Sequence, residues 1–177
     1  MSQQQTTAII GLGSMGYGIA SSMLRAGHKS YGFDVAAQAV ERFVAEGGST
    51  GDIAEVGASV DTVVVVVLNA PQTESVLFGE NGVVKSMKAG ASVISCATVP
   101  PEFAKDMEAR CAELGVHYLD APISGGSVKA ANGQLSVMAS GTPEAFAAAK
   151  PALDAMAEKV FELGDAAGAG SAMKAVN

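Results

Sequence analysis

Lys174 and Asn177 stand three residues apart in the stretch Gly168-Ala169-Gly170-Ser171-Ala172-Met173-Lys174-Ala175-Val176-Asn177. On a helix that spacing puts both on one face. A lysine beside a hydrogen-bonding amide can pass a proton to or from a substrate oxygen. Taken alone, Lys174 reads first as an ordinary solvated lysine. A second candidate is Asp120-Ala121-Pro122-Ile123-Ser124-Gly125-Gly126. Ser124 offers a hydroxyl, and Gly125 and Gly126 offer unshielded N–H groups, which together can grip a carboxylate without a formal charge. Taken alone, Ser124 also reads as a helix N-cap beside a flexible loop.

A third stretch supplies the frame for both. Gly11-Leu12-Gly13-Ser14-Met15-Gly16 follows the apolar run Ala8-Ile9-Ile10 and opens a segment with Met15, Ile19, Ala20, Met23 and Leu24 at helical spacing, closed by Gly27. A second short run, Ser30 to Phe33, ends in Asp34. In this arrangement Gly11 permits the tight turn, Gly13 lets a pyrophosphate approach the backbone, and Gly16 lets helix and strand pack closely. The free N–H groups and the dipole of the first helical turn favour an anion. Asp34, about 20 residues beyond the turn, stands where an acid accepts hydrogen bonds from an adenosine ribose. Its charge opposes a 2′-phosphate, and no Arg or Lys lies between Asp34 and Arg42 to hold one. The expected cofactor is therefore NAD rather than NADP. Gly11, Leu12, Gly13, Ser14, Met15, Gly16 and Asp34 are its expected cradle, although Met15 reads mainly as a helix packing residue.

Further elements alternate. Helices are expected over 36–46, 71–78, 98–114 and 143–156, with a single turn within 50–58. Strands are expected over 62–68, 91–95, 116–120, 135–139 and 160–163. Residues 121–133 read as a glycine-rich loop with a short helix, and 171–177 as the start of another helix. The run Thr62 to Leu68 is β-branched almost throughout and lacks alternation, as in a central strand buried on both faces. The predicted fold is α/β, a doubly wound, mostly parallel Rossmann-type sheet with helices on both faces. Ligands in such sheets sit at the carboxyl ends of the strands, here the loops 11–16, 34–36, 69–72, 96–100 and 121–127.

Composition narrows the function classes. The chain has 177 residues, 49% hydrophobic and 5% aromatic, with a formal charge of −7. The acidic balance and the lack of a basic cluster argue against nucleic acid. The longest aliphatic run is too short to cross a bilayer, and the first residues do not read as a secretory signal. Cys96 and Cys111 fit a reduced, cytoplasmic protein, and no Cys/His spacing suggests a metal. Cys96 reads as a packing residue. His28 reads as a surface turn residue and His117 as a strand residue, neither with a carboxylate partner nearby in sequence.

Four segments together resemble the β-hydroxyacid dehydrogenases, a family that includes 3-hydroxyisobutyrate dehydrogenase. They are 11–16 with Ala26-Gly27-His28, Cys96-Ala97-Thr98-Val99-Pro100-Pro101, 120–126, and Gly168-Ala169-Gly170 with Lys174 and Asn177. The resemblance implies that Lys174 is the catalytic lysine, that Ser124, Gly125, Gly126 and Asn177 bind substrate, and that Thr98 contacts the nicotinamide side of NAD. It also places Leu68 and Asn69 along the cofactor. Asn69-Ala70 stands where Pro-Asp or similar is expected, and Cys96 where Ser is frequent. Gly16-Tyr17-Gly18, Leu68-Asn69-Ala70 and Gln72-Thr73-Glu74 look like the branch acting on L-threonate.

Members of that family continue into an all-α second domain that closes the site and forms most of the dimer contact. The resemblance thus implies an NAD-binding domain over 1–165 and the start of an interdomain helix over 166–177, with the second domain absent. It implies a small hydroxy acid as partner and a homo-oligomer for the full-length protein. Two other readings fit the glycine turn: a non-catalytic NAD(H)-binding or redox-sensing module, and a methyltransferase. Neither calls for a lysine and an asparagine on one helical face after a glycine hinge.

Overall fold

The computed structural model describes residues 4–176. Five parallel strands form the main sheet in the order β2-β1-β3-β4-β5. These are β1 (Thr6–Ile10), β2 (Lys29–Phe33), β3 (Thr62–Val65), β4 (Ser92–Ser95) and β5 (His117–Asp120). The crossovers carry α1 (Ser14–Arg25), α2 (Ala37–Ala45), α3 (Ile53–Gly57), α4 (Ala70–Phe78) and α5 (Pro101–Glu113), with a 3-10 turn at Val84–Ser86. The register runs Ile9 beside Gly32 and Val64, Val64 beside Ile94, and Ile94 beside Leu119.

Successive strand residues enter two different cores. Ala8, Ile10, Val63, Val65 and Val93 pack with Leu77, Met107 and Tyr118 on one face. Ile9, Val64, Ile94 and Leu119 pack with Ile19, Met23, Ala149 and Ala152 on the other. Because both faces of the central strand are buried, a polar residue every second position would have no solvent to meet, so β3 reads as a β-branched run without alternation.

A second sheet follows, in the order β6-β7-β8. It contains β6 (Ile123–Ser124), β7 (Leu135–Ala139) and β8 (Ala157–Glu162), with α6 (Gly126–Ala131) and α7 (Pro143–Met156) in the connections. β6 pairs antiparallel and β8 parallel to β7. An antiparallel bridge, Asp120 to Ser140, links this sheet to the end of β5. α8 (Ala169–Val176) is the last element.

Several expectations are corrected here. β3 stops at Val65, not Leu68. Val66 still donates to the Ile10 carbonyl at 2.8 Å, but beyond it the chain leaves the sheet, and Leu68 is exposed. β6 is an addition to the expected strands, since two residues carry too little pattern to read. β8 begins three residues early and is mostly exposed. His28 is not a surface residue: it is 2% exposed, and its Nδ1 accepts the Gln5 N–H at 2.9 Å. Among the described residues, no helix is long and apolar enough to cross a membrane.

Candidate cofactor and substrate site

Because the five strands of the main sheet are parallel, their carboxyl ends share one edge, and the order reverses between β1 and β3. That boundary is the crevice where doubly wound sheets take ligands. The turn from Gly11 to Gly16 leaves β1 beside it. A Cβ on Gly16 would overlap the Gly11 carbonyl oxygen, and a Cβ on Gly11 would overlap that of Val66. The turn, the helix and the end of β3 are thus in backbone contact. Gly13 is different: nothing lies within 4 Å of the position its Cβ would take. It is also the N-cap of α1, has no side chain to cap the helix, and is followed by no acid in the first turn. An exposed, positive helix end with open space above a glycine fits a pyrophosphate. Ser14 is exposed there, whereas Leu12 is buried and Met15 half-buried against the core.

Asp34 follows β2 and faces back to the turn. Its Oδ2 accepts the Leu12 N–H at 2.6 Å, and its Oδ1 accepts the Ala36 N–H at 2.8 Å. Each oxygen keeps a further lone pair for a ligand.

Leu68 and Asn69 lie past the end of β3, both exposed. Asn69 Oδ1 accepts the Gln72 N–H at 2.9 Å and caps α4, while Gln72 Oε1 accepts the Leu68 N–H at 2.8 Å. Asn69 is therefore spent in part on starting a helix that has proline in its first turn.

Past β4, Cys96 is buried, and burial pushes its thiol up to about 12, which keeps it protonated at neutral pH. Thr98 is exposed. Past β5, Gly125 and Gly126 have φ of 137° and 81°, a backbone region that side chains disfavour. Gly125 is the N-cap of α6. Ser124 is accordingly no N-cap: it sits in β6 beside Ser136, half-buried.

α1 supports the helix that follows this loop. A Cβ on Gly18 would lie 2.7 Å from the Ala131 nitrogen and 2.8 Å from Ala130 Cβ, so α6 crosses α1 where there is no side chain. Ser22 donates its hydroxyl to the Ala130 carbonyl at 2.7 Å, and Arg25 donates to that of Ala131. The helix that follows the glycine turn is thereby also the bed for α6, the helix that Gly125 and Gly126 open.

Lys174 is half-buried in the last turn of α8. Among the described residues, no carboxylate pairs with its ammonium. Asn177, expected to bind substrate, lies outside the described residues. Asp120 opens the second candidate stretch, and its sequence context does not reveal what it bonds. It is fully buried and bonded to the start of α8, 48 to 51 residues away, a separation that leaves no local signal.

Comparison with known proteins settles the family. Residues 6–164 match the model of the NAD binding domain of 6-phosphogluconate dehydrogenase. The chain belongs to that NAD-binding domain family. An L-threonate dehydrogenase from Cupriavidus necator is 47% identical over 170 residues, covering 96% of this chain and 57% of the relative. A 3-hydroxyisobutyrate dehydrogenase from Pseudomonas aeruginosa is 37% identical, with the same coverage. A crystal structure of 3-hydroxyisobutyrate dehydrogenase from Salmonella typhimurium superposes with a TM-score of 0.92 at 43% identity, over 97% of this chain and 60% of that one. The chain thus spans less than two thirds of the length of these relatives. As a member of this family it takes NAD as its cofactor, and the open Gly13 turn facing Asp34 is a cradle that fits one.

Proposed function

We propose that the chain is the cofactor half of an NAD-dependent dehydrogenase of small hydroxy acids, with an L-threonate-like or 3-hydroxyisobutyrate-like substrate. The observation that carries this reading is the edge of the parallel sheet. The Gly11–Gly16 turn, Asp34, Thr98 and the loop after β5 with Ser124, Gly125 and Gly126 all follow its strand ends, and the helix bearing Lys174 is bonded to the end of β5. NAD, when bound, supplies the hydride acceptor. The Gly13 turn holds its pyrophosphate, Asp34 its adenosine ribose, Leu68 and Asn69 flank it, and Thr98 borders the nicotinamide.

Ser124 and the N–H groups of Gly125 and Gly126 orient the substrate carboxylate, with Asn177 as a further contact. Lys174 takes the hydroxyl proton as the carbinol is oxidised, or returns it in reduction. Holding both reactants in line removes much of the entropic barrier. The relatives from Cupriavidus necator and Pseudomonas aeruginosa are named for L-threonate and 3-hydroxyisobutyrate, which supports a small hydroxy acid. We further read residues 166–177 as the start of an interdomain helix, and the full-length protein as a cytoplasmic homo-oligomer with an all-α second domain.

The first test titrates the chain with NADH and NADPH by fluorescence, then assays hydroxy acids, L-threonate included, on the full-length protein and its Lys174→Ala variant. A preference for NADH, with turnover lost by about 10²–10⁴-fold in the variant and binding retained, is the expected result. Full activity in the variant removes the proton-transfer role. NADH binding without turnover of any hydroxy acid favours a non-catalytic module.

A further inference from the structure

We propose that Asp120 and Ser171 are positioning residues: a buried hydrogen-bond node through which the lysine-bearing helix is locked to the two loops expected to hold nicotinamide and substrate. This rests on the dehydrogenase reading above.

Asp120 is the last residue of β5, one step before the loop that leads to Ser124. Its Oδ2 accepts the Ser171 N–H at 2.8 Å and the Gly168 N–H at 3.2 Å. Its Oδ1 accepts the Ser171 hydroxyl at 2.6 Å. With its single proton committed to the carboxylate, the Ser171 oxygen accepts the Val99 N–H at 3.1 Å. Val99 adjoins Thr98. One carboxylate and one hydroxyl therefore bind the end of β5, the loop after β4 and the first turn of α8.

Neighbouring bonds remove the remaining freedom. Gly170 donates its N–H to Ser140 Oγ at 2.9 Å, and Ser140 exchanges backbone hydrogen bonds with Asp120 at 3.0 and 2.9 Å. A Cβ on Gly170 would lie 2.6 Å from the Asp120 carbonyl oxygen, so the helix start rests directly on the strand. Ser171 and Lys174 are three apart and share a helix face. Fixing Ser171 consequently fixes the direction in which Lys174 leaves the helix.

Three other helix starts contrast with it. Asp52, Asn69 and Thr142 cap their helices from the adjoining residue, bonding the N–H three positions on. α8 is instead held by a carboxylate from a distant strand, fully withdrawn from water. Burying a carboxylate is costly unless its oxygens are well bonded. A local serine or asparagine would satisfy the helix end without that cost, but it would not tie α8 to β5.

The test uses Ser171→Ala and Asp120→Asn, with Ser171→Thr as the conservative variant. Amide hydrogen exchange and NADH titration are read on the 177-residue chain, and steady-state kinetics on the full-length protein. Expected in the first two variants are faster exchange at 168–174, NADH affinity within about twofold, KM within a few-fold and kcat lowered at least tenfold, with Ser171→Thr restoring most of kcat. Unchanged exchange at 168–174 in both variants overturns the node. Faster exchange with kcat unchanged overturns its positioning role. Absence of turnover in the unmodified full-length protein overturns the dehydrogenase reading instead, and with it the purpose assigned to the node. If Asp120→Asn does not fold, Ser171→Ala decides, since it leaves the carboxylate and both N–H bonds in place.

Discussion

The Asp34 carboxylate accepts the Leu12 main-chain N–H at 2.6 Å, so the acid expected to meet the ribose also holds the glycine turn in shape. A single substitution therefore acts on two parts of one site. Asp34→Ala removes a charge-assisted hydrogen bond of about 1.5–3 kcal/mol to the turn, together with the charge that opposes a 2′-phosphate. NADH affinity is expected to fall at least tenfold, and the ratio of NADH to NADPH affinity to move toward NADPH. Fluorescence titration of both nucleotides measures this directly. Unchanged NADH affinity would mean that Asp34 serves neither the turn nor the ribose.

Gly18 tests the packing of α1 against α6, the two helices that the glycine loops open. Alanine is the better helix former by about 1 kcal/mol. Its methyl, however, would press on the backbone nitrogen of Ala131 at 2.7 Å, which no rotamer change can relieve. Overpacking of this kind costs about 1–3 kcal/mol and wins. Gly18→Ala is expected to lower Tm by roughly 2–4 °C for each net kcal/mol lost in a chain of this size. A raised Tm would show that α6 moves off α1 freely.

Most of the main sheet is legible in the amino-acid sequence, because the central strands leave short apolar runs such as Ala8-Ile9-Ile10 and Thr62 to Val65, and the helices between them bring their own stops. The boundaries of β7 and α7 are those expected. The failures have physical causes. Thr62 to Leu68 looks like one strand, but Val66 marks where the backbone must pass the Gly11 turn, and side-chain pattern does not encode that crossing. His28 looks like a turn residue because it follows Gly27, yet its ring is turned inward to the Gln5 N–H. Of the candidate site, the strand-end loops are legible through glycine, serine and acid in local register. The Asp120–Ser171 pair is not, since its two members belong to different motifs.

Asp61 couples the sheet to pH. It lies before β3, accepts the Thr6 N–H at 2.9 Å and pairs with Lys88 at 2.8 Å. Partial burial pulls its carboxyl upward, but Lys88 and the Thr6 N–H together outweigh burial and hold it below the ordinary 3.8. A depressed carboxyl binds fewer protons in the folded state. Its stabilisation is therefore present above the unfolded value of 3.8 and is lost as pH falls through the folded one. Both side chains are partly exposed, so solvent limits the effect to about 1 kcal/mol or less. Asp61→Asn is expected to lower Tm slightly at neutral pH, with the gap to the unmodified chain closing as pH drops below 3.8. A constant gap across that range would contradict the linkage.

Cys96 and Cys111 give a prediction that separates a packing role from a reactive one. Both are buried, and burial pushes each thiol up to about 12, with the nearby Arg110 only partly offsetting this at Cys111. The thiolate is the nucleophile, and at neutral pH almost none forms at either position. Neither cysteine should react with a disulfide-exchange reagent in the folded chain, while both should react at once in denaturant. Cys96 is the informative member, because it stands at the carboxyl end of β4, two residues before Thr98. Fast modification of Cys96 in the folded chain, slowed by NADH, would show that the β4 end opens to solvent and that this thiol lines the cofactor crevice rather than the core.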